Sequence, residues 1–310
     1  MRALYPPLVL AIFGPTASGK SGVAEAIAER VQAELVSADA MQVYRDVPIL
    51  TNQSERPTGL VAIWPLEKEA SVAAYQRLAH AAIDDALARD RVPVAVGGTG
   101  LYLRAALADL ELPPPPAPGA RERIEALYDR LGAARAHAVL VERDPAAAAS
   151  VHPNDRRRVV RALELAEAGT SLRARADQLW SGETRHPTLV FGLEVPREDL
   201  WRRIEVRTHR MFARGAEEEA RRALARPLSR TAATIHGLRE AAELPREEAI
   251  AALVLRTRRY AAYQRKWMRR IPDLVTVRAD RPPGDVADEI LEMARARQRV
   301  PARRAGRAPA

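Results

Sequence analysis

The 310-residue chain is long enough for about two domains, and it carries 49 Lys and Arg against 40 Asp and Glu, a formal net charge of +9. It contains no cysteine, which excludes disulfides, iron–sulfur clusters and zinc sites built on thiolates. No apolar run approaches the ~18 to 20 residues that span a bilayer, and no segment resembles a targeting signal, so we expect a cytoplasmic protein. A positive net charge attracts polyanions but does not specify a fold.

The N-terminal third alternates between strand and helix patterns. Residues 8–13, 33–37 and 92–96 are short apolar runs that predict buried strands, whereas residues 18–30 and 71–90 have the pattern of helices. Alternation of this kind predicts a parallel sheet covered by helices.

A glycine-rich loop joins the first predicted strand to the first predicted helix. Residues 14–21, Gly-Pro-Thr-Ala-Ser-Gly-Lys-Ser, match the pattern G-x-x-x-x-G-K-[ST]. Gly14 and Gly19 allow a tight loop whose N–H groups point at phosphate oxygens, and the helix adds the positive end of its dipole. Lys20 supplies a charge and Ser21 a hydroxyl for Mg²⁺. We therefore expect an α/β fold with a P-loop NTPase-like core that binds a diphosphate.

Two further segments follow predicted strands and fall at the same edge of the sheet. Asp39 comes just after the second strand, where side chains line the ligand crevice of a parallel sheet. Its spacing alone leaves open a general base, a metal ligand or a helix cap. The third strand is followed by Gly97-Gly98-Thr99-Gly100, where nucleotide hydrolases often place an acidic metal ligand. The lack of an acidic residue in this turn argues against the kinase or hydrolase chemistry of most P-loops.

A proline-rich segment interrupts this core. Residues 112–119 contain five prolines, which cannot continue a helix or a central strand and predict a semi-rigid linker. A charged helical pattern follows, up to about residue 180, and residues 188–195 then resemble a strand that returns the chain to the sheet. We expect a discontinuous core of residues 1–112 and 187–292, a helical insertion of residues 113–186, and a basic, disordered tail of residues 293–310.

Residues 256–270 combine positive charge with aromatic rings. Seven basic residues and no acidic residue lie in this stretch, together with Tyr260, Tyr263 and Trp267. A solvated helix face normally mixes charges of both signs. The stretch therefore favours a nucleic-acid partner.

Taken together, these segments resemble the tRNA dimethylallyltransferases. The similar segments occur in the family's order; they are residues 14–21, 37–45, 97–102, the run His-Pro-Asn-Asp-Arg-Arg-Arg-Val-Val-Arg at 152–161, and Thr257-Arg258-Arg259 with Gln264 and Trp267. The resemblance implies transfer of a dimethylallyl group from dimethylallyl diphosphate, held in the P-loop with Mg²⁺, to N6 of the adenosine 3′ of the anticodon in tRNA.

The resemblance also implies roles for individual residues. Asp39 falls on the position of the general base, Thr99 on a residue near the target adenosine, and Arg207 on an arginine that holds the leaving diphosphate. The implied diphosphate positions are Gly14, Thr16, Ala17, Ser18, Gly19, Lys20 and Ser21, with Ser21 also the metal position. The implied tRNA-contacting positions are Asp39, Ala40, Met41, Gln42, Thr99, Arg121, Arg157, Arg158, Val159, Val160, Arg161, Gly237, Arg239, Gln264, Lys266, Trp267 and Arg269. We expect a monomer that binds the anticodon stem-loop and no membrane.

Some residues depart from the family's usual pattern. Ala40 stands where the family has Ser, Leu238 where it often has Tyr, and Ala262 and Tyr263 where Lys and Arg are common. These departures affect the expected tRNA contacts and leave the diphosphate site intact.

Three other functions stay open at this point. A P-loop kinase of a small molecule would consume ATP and gives no role to residues 256–270. Prenylation of free AMP would use the same diphosphate site. A non-catalytic RNA-binding protein would have no use for a complete P-loop beside Asp39.

Several histidines have structural interpretations. His80, His137 and His209 lack partners at ligand spacing, so we expect no metal there. His152-Pro153-Asn154 is expected to cap the basic helix that follows.

Overall fold

The computed structural model describes residues 8–113, 115–172 and 181–299. The strands in this part of the chain are β1 (Val9–Phe13), β2 (Ala33–Ser37), β3 (Val92–Gly97), β4 (Thr188–Glu194) and β5 (Val275–Arg278). They form one sheet in the order β2-β3-β1-β4-β5, and every neighbouring pair is parallel. The expected α/β class with a parallel sheet is therefore confirmed.

Helices cover the sheet and build the rest of the described chain. In order they are α1 (Lys20–Arg30), α2 (Val72–Ala88), α3 (Gly100–Leu107), α4 (Ala120–Leu131), α5 (Ala133–Arg143), α6 (Pro145–Ala148), α7 (Arg156–Glu167), α8 (Arg197–Ala213), α9 (Ala216–Leu224), α10 (Leu238–Glu243), α11 (Arg246–Met268) and α12 (Pro283–Arg299). A short 3-10 turn, Ala232–Thr234, precedes α10.

β1 lies at the centre of the sheet. Leu10 is in register with Val94 of β3 on one side and with Leu189 of β4 on the other. All of β1 is buried, as expected for a parallel strand with helices on both faces. The P-loop follows β1, Asp39 follows β2, and the glycine turn (residues 97–100) follows β3, so the three segments emerge at the same edge of the sheet.

The C-terminal part contains elements that the sequence did not predict. β5 adds a fifth strand at the edge of the sheet, and α12 packs on α1, where Asp288 accepts a hydrogen bond from Arg30 Nε at 2.5 Å. Residues 293–299, expected to begin a disordered tail, instead continue α12 to Arg299. The reason is a buried stripe at helical spacing, formed by Ala287, Ile290, Leu291 and Ala294. Residues 300–310 lie outside the described residues.

The chain divides into two compact units. The first consists of the described residues up to Asp109 and from Thr184 onward, and the second is Leu110–Glu183. In the second unit, α4, α5 and α7 pack around a core that includes Tyr128, Leu140 and Leu163. Across the described residues, no helix combines the length and apolar character needed to cross a membrane.

The basic helix α7 is capped by a different residue from the one expected. The side chain of Asp155 accepts a hydrogen bond from Arg158 N at 3.1 Å, which makes Asp155 the N-cap. Asn154 lies one residue earlier, and its backbone N–H donates to His152 Nδ1. The cap is thus the residue immediately before the first helical residue, where a carboxylate reaches the free N–H groups of the first turn.

Candidate active site

The P-loop has two residues in the left-handed backbone region. The φ angle is 65° at Ala17 and 93° at Gly19, and this conformation is unfavourable for a residue with a Cβ. Gly19 is the N-cap of α1, and no side chain caps the helix. The N–H groups of the first turn of α1 are therefore oriented to receive an anion.

Two cations and one carboxylate converge at this loop. Burial lowers the pKa of Lys20 to about 8; Asp39 raises this pKa and Arg207 lowers it. Burial also lowers the pKa of Arg207 to about 10, and Asp39 opposes that shift. In both cases desolvation outweighs the attraction of the carboxylate. The site therefore holds an excess of positive charge that a diphosphate would neutralise.

Two buried polar atoms at the site have no hydrogen-bond partner within the described part of the chain. They are Ser18 Oγ and Arg207 Nε. Lys20 Nζ, in contrast, donates to Pro15 O at 2.8 Å. An unsatisfied buried donor costs about 1 to 3 kcal/mol, and more when it is charged. An anion bound between the P-loop and α8 would provide the acceptor that Arg207 lacks.

The segments after β2 and β3 are tied to each other. Asp39 Oδ1 accepts a hydrogen bond from Met41 N at 2.9 Å, and Thr99 Oγ1 accepts one from Ala40 N at 3.2 Å. Asp39 and Thr99 are both partly exposed. The structure thus brings together the carboxylate and the hydroxyl that the sequence resemblance placed at the reaction centre.

Gln42, one of the expected tRNA-contacting residues, is partly exposed and anchors the loop that follows β2. Its Oε1 accepts a hydrogen bond from Ser37 Oγ at 2.8 Å, and its Nε2 donates to Asn52 O at 3.0 Å and to Thr51 O at 3.3 Å. Both ends of the amide are therefore used to hold residues 51–52 against β2. Met41, beside it, is partly exposed.

Helix α11 packs directly on the glycine turn. A Cβ at Gly98 would lie 2.1 Å from Gln264 Nε2, and one at Gly100 would lie 2.0 Å from Cε3 of Trp267. Such distances exclude any side chain at these two positions. The glycines are required because α11 approaches the backbone of the turn so closely.

Gln264 connects this turn to the P-loop. Its Oε1 accepts a hydrogen bond from Thr16 N at 2.7 Å, and its Nε2 donates to Gly98 O at 2.9 Å. The residue is only 2% exposed, which leaves its side chain no surface for the tRNA contact expected from the sequence. Gln264 instead fixes the position of the P-loop, because its Oε1 accepts the hydrogen bond from Thr16 N.

A row of aromatic rings runs along α11 beside the site. Tyr260 contacts His236 edge to face, with ring centroids 4.6 Å apart. Burial and the nearby Asp39 raise the pKa of Tyr260, while hydrogen bonds with the side chains of Thr99 and Gln264 oppose the shift. Tyr260 therefore stays a neutral phenol next to the reaction centre.

His236 is a site residue to which the sequence resemblance gave no individual role, although it lies beside Gly237 in a segment that the resemblance placed at the tRNA. Burial and Arg256 lower its pKa, Asp39 and Glu240 raise it, and Arg207 lowers it further. Its charge environment thus includes both Asp39 and Arg207, which lie far from it in sequence. No local pattern marks His236, since only the packing of α10 and α11 near the sheet edge brings it there.

Several of the expected tRNA-contacting residues form ion pairs or core contacts within the second unit. The side chain of Glu164 is fully buried, and it accepts hydrogen bonds from Arg121 Nη2 at 3.0 Å and from Arg161 Nη1 at 2.8 Å. Val159 and Val160 are buried in the core of the unit. These four side chains therefore stabilise the unit; Val159 and Val160 have almost no exposed surface, whereas the side chains of Arg121 and Arg161 are 33% and 20% exposed.

Among the expected tRNA-contacting residues of the second unit, Arg157 and Arg158 are the exposed ones. Arg158 Nε lies 3.7 Å from Asp155, and no carboxylate among the described residues pairs with Arg157. The two guanidinium groups are thus positioned on the surface of α7.

The remaining expected tRNA residues lie in the first unit. Gly237 is buried with φ 84° at the start of α10, and Arg239 is exposed and pairs with Glu243 at 3.4 Å. Lys266 and Arg269 are exposed near the end of α11. The side chains of these three cations are exposed to solvent, and Trp267 and Ala40 are partly exposed.

A separate cavity of ≈ 770 Å³ lies on another face of α8. Its lining includes Glu198, Glu205 and His209, which helical spacing places on the opposite side of α8 from Arg207. The cavity is therefore not part of the P-loop site.

Within the described residues, no group of three or more His, Asp or Glu side chains is arranged to hold a metal ion. The candidate metal ligand at the P-loop is Ser21, which is exposed in the first turn of α1.

The fold and the site define an enzyme with a P-loop α/β core and a cationic anion pocket facing a carboxylate. A family model described as IPP transferase matches residues 42–271, and one described as isopentenyl transferase matches residues 7–59. The chain belongs to the IPP transferase family, as the sequence resemblance predicted, and it is a transferase.

Individual relatives agree with this assignment. The chain is 42% identical to the tRNA dimethylallyltransferase of Salinispora arenicola, over 85% of this chain and 80% of that protein. It is 40% identical to the tRNA dimethylallyltransferase of Kineococcus radiotolerans, over 93% of this chain and 96% of that protein. The crystal structure of the tRNA isopentenylpyrophosphate transferase of Bacillus halodurans superposes with a TM-score of 0.66 at 30% identity, covering 94% of this chain and 98% of that one. The expected P-loop NTPase-like fold is thereby confirmed.

Proposed function

We propose that this chain transfers a dimethylallyl group from dimethylallyl diphosphate to N6 of the adenosine 3′ of the anticodon in tRNA. The observation that carries the proposal is the convergence of Lys20, Arg207 and Asp39 at the P-loop. It occurs in a chain whose relatives over most of its length are named tRNA dimethylallyltransferases. Those names support an RNA acceptor over free AMP and over a small-molecule kinase.

Asp39 acts as the general base. The exocyclic amine of adenine is a poor nucleophile, and its N–C bond to the dimethylallyl carbon forms only if N6 loses a proton. The carboxylate of Asp39 accepts that proton, while the bond between the dimethylallyl carbon and the diphosphate oxygen breaks. The hydrogen bond from Met41 N to Oδ1 holds the carboxylate in place, and Thr99 lies beside it near the acceptor base.

Lys20 and Arg207 stabilise the leaving group. Negative charge grows on the diphosphate as its bond to carbon breaks, and preorganised cations and N–H groups aimed at that charge lower the barrier. Lys20 and Arg207 supply the cations, and the loop around Ser18 with the first turn of α1 supplies the N–H groups. Because both cations are desolvated, their interaction with the diphosphate is stronger than it would be in water.

The donor set at the P-loop fits Mg²⁺. This ion takes most of its ligands from substrate phosphates and water, with only one or two from the protein. Ser21 would supply the protein ligand, from the turn of α1 that also carries Lys20. When bound, the metal neutralises charge on the diphosphate.

Exposed cations on both units bind the RNA backbone in this proposal. The second unit, which overlaps most of the expected insertion of residues 113–186, presents Arg157 and Arg158, and the first presents Lys266 and Arg269. We infer that the enzyme works as a cytoplasmic monomer on the anticodon stem-loop.

The test is mass spectrometry of nucleosides after incubation of an anticodon stem-loop with the enzyme, Mg²⁺ and dimethylallyl diphosphate. We expect one C5H8 unit on the adenosine 3′ of the anticodon. A stem-loop with purine riboside at that position lacks the N6 amine and should stay unmodified. Modification of AMP without modification of the stem-loop would overturn the tRNA acceptor. In a parallel incubation with ATP, consumption of ATP without either prenylated product would favour a kinase.

A further inference from the structure

Tyr263 is an exposed aromatic residue beside the site. It is 54% exposed, although it lies on the same helix as the largely buried Gln264 and close to Trp267, which packs on the glycine turn. Its ring centroid is 6.5 Å from that of Tyr260, with the planes inclined by only 25°, and 6.5 Å from that of Trp267. Tyr263 is thus the middle ring of the row Tyr260–Tyr263–Trp267 along α11, and it is the most exposed of the three.

The two rings that flank Tyr263 both lie at the reaction centre. Tyr260 hydrogen-bonds with Thr99, and the charge of Asp39 affects its pKa. Trp267 covers Gly100 of the same turn. A group that rests on Tyr263 is therefore adjacent to whatever occupies the space between Thr99 and Asp39.

Two cations flank the exposed ring. Arg259 and Lys266 precede and follow Tyr263 by four and three residues, which places both on its face of the helix. Both are exposed, and neither pairs with a carboxylate in the part of the chain that the structure describes. An exposed aromatic face between two such cations suits a nucleobase with phosphates on either side.

We propose that Tyr263 is a stacking platform for the nucleobase next to the acceptor adenosine. The inference rests on the proposed function, because it concerns the same RNA in the same site. To reach Asp39, the acceptor adenosine must leave the base stack of the anticodon loop, which deprives its neighbour of a stacking partner. The ring of Tyr263 replaces that partner, and it accepts any base, since every base has a π-face.

The test uses three variants and a set of stem-loops that each carry one abasic site. Tyr263→Leu removes the aromatic face, and Tyr263→Phe retains it. Leu255→Ala is the matched control, because Leu255 is an apolar residue on the same helix that is 51% exposed. We expect Tyr263→Leu to raise KM for the intact stem-loop about 5- to 160-fold, the range of base–aromatic stacking. Tyr263→Phe and Leu255→Ala should resemble wild type, and dimethylallyl diphosphate should bind all variants equally.

The abasic stem-loops identify the stacked base. When the base next to the acceptor is absent, wild type and Tyr263→Leu should have the same KM; an abasic site elsewhere in the loop should preserve the difference. If wild type prenylates the stem-loop but Tyr263→Leu has an unchanged KM, or if no abasic position removes the difference, stacking on Tyr263 is refuted and the proposed function stands. If wild type prenylates no stem-loop, both proposals fail.

Discussion

The protonation state of Lys20 should make diphosphate binding depend on pH in a range where ordinary lysines do not titrate. The pKa of Lys20 is lowered to about 8 by burial, with Asp39 raising it and Arg207 lowering it. Because the folded pKa is depressed, the charged form is lost as pH rises through about 8. Arg207, with a pKa of about 10, stays mostly charged up to pH 9.

The size of the effect follows from the fraction of charged Lys20. With a pKa of about 8, this fraction falls from about 0.9 at pH 7 to about 0.1 at pH 9. If only charged Lys20 binds the diphosphate, the affinity for dimethylallyl diphosphate should fall about tenfold over this range. At pH 9 binding should also take up close to one proton, because the diphosphate restores the charge on Lys20.

Isothermal titration calorimetry tests both effects when each pH is measured in two buffers of different ionisation enthalpy, at constant Mg²⁺. Lys20→Arg is the control for charge, since an arginine should keep a flat affinity profile between pH 7 and pH 9. Lys20→Met should bind weakly at every pH. A wild-type affinity that is constant over this range, without proton uptake, would refute the assignment of Lys20 as a desolvated diphosphate ligand.

Four further outcomes are expected. Asp39→Asn should slow single-turnover transfer by roughly 10² to 10⁴ while dimethylallyl diphosphate still binds; a rate close to wild type would remove Asp39 from proton transfer. Gln264→Ala should lower the free energy of unfolding by about 1 to 3 kcal/mol, since Thr16 N and Gly98 O lose their hydrogen-bond partner. Denaturant titration measures this loss, and Lys266→Ala, at an exposed position of the same helix, is the control that should leave the free energy of unfolding unchanged. Glu164→Leu should destabilise the second unit by about 1 to 3 kcal/mol, because the partly exposed Arg121 and Arg161 lose their hydrogen bonds to a buried carboxylate; unchanged hydrogen exchange in α4 and α7 would contradict it. Arg157→Ala with Arg158→Ala should reduce the salt slope of stem-loop binding by about 0.7 to 0.9 per lost phosphate contact. The control is Arg130→Ala with Arg143→Ala, which removes two exposed arginines from α4 and α5 of the same unit and should leave the slope unchanged.

The sequence by itself determined the features that lie in short contiguous stretches. The P-loop of residues 14–21 is recognisable because all of its parts sit between one strand and one helix. The alternating elements around it could be predicted for the same reason, since β1 to β3 and α1 to α2 each have a local periodicity. The place of Asp39 at the edge of the sheet followed from its position after a strand, whereas its role as a base came only from the family resemblance.

Only the tertiary structure decided what individual side chains do. Gln264 lies 248 residues from Thr16, and no pattern within α11 shows that its amide holds the P-loop and not RNA. Arg121 and Arg161 look like surface cations in the sequence, but both bind the buried Glu164. His236 likewise comes near Asp39 only through the fold. Local patterns record the periodicity of a segment, whereas these roles depend on which distant segments pack together and on which polar groups that packing buries.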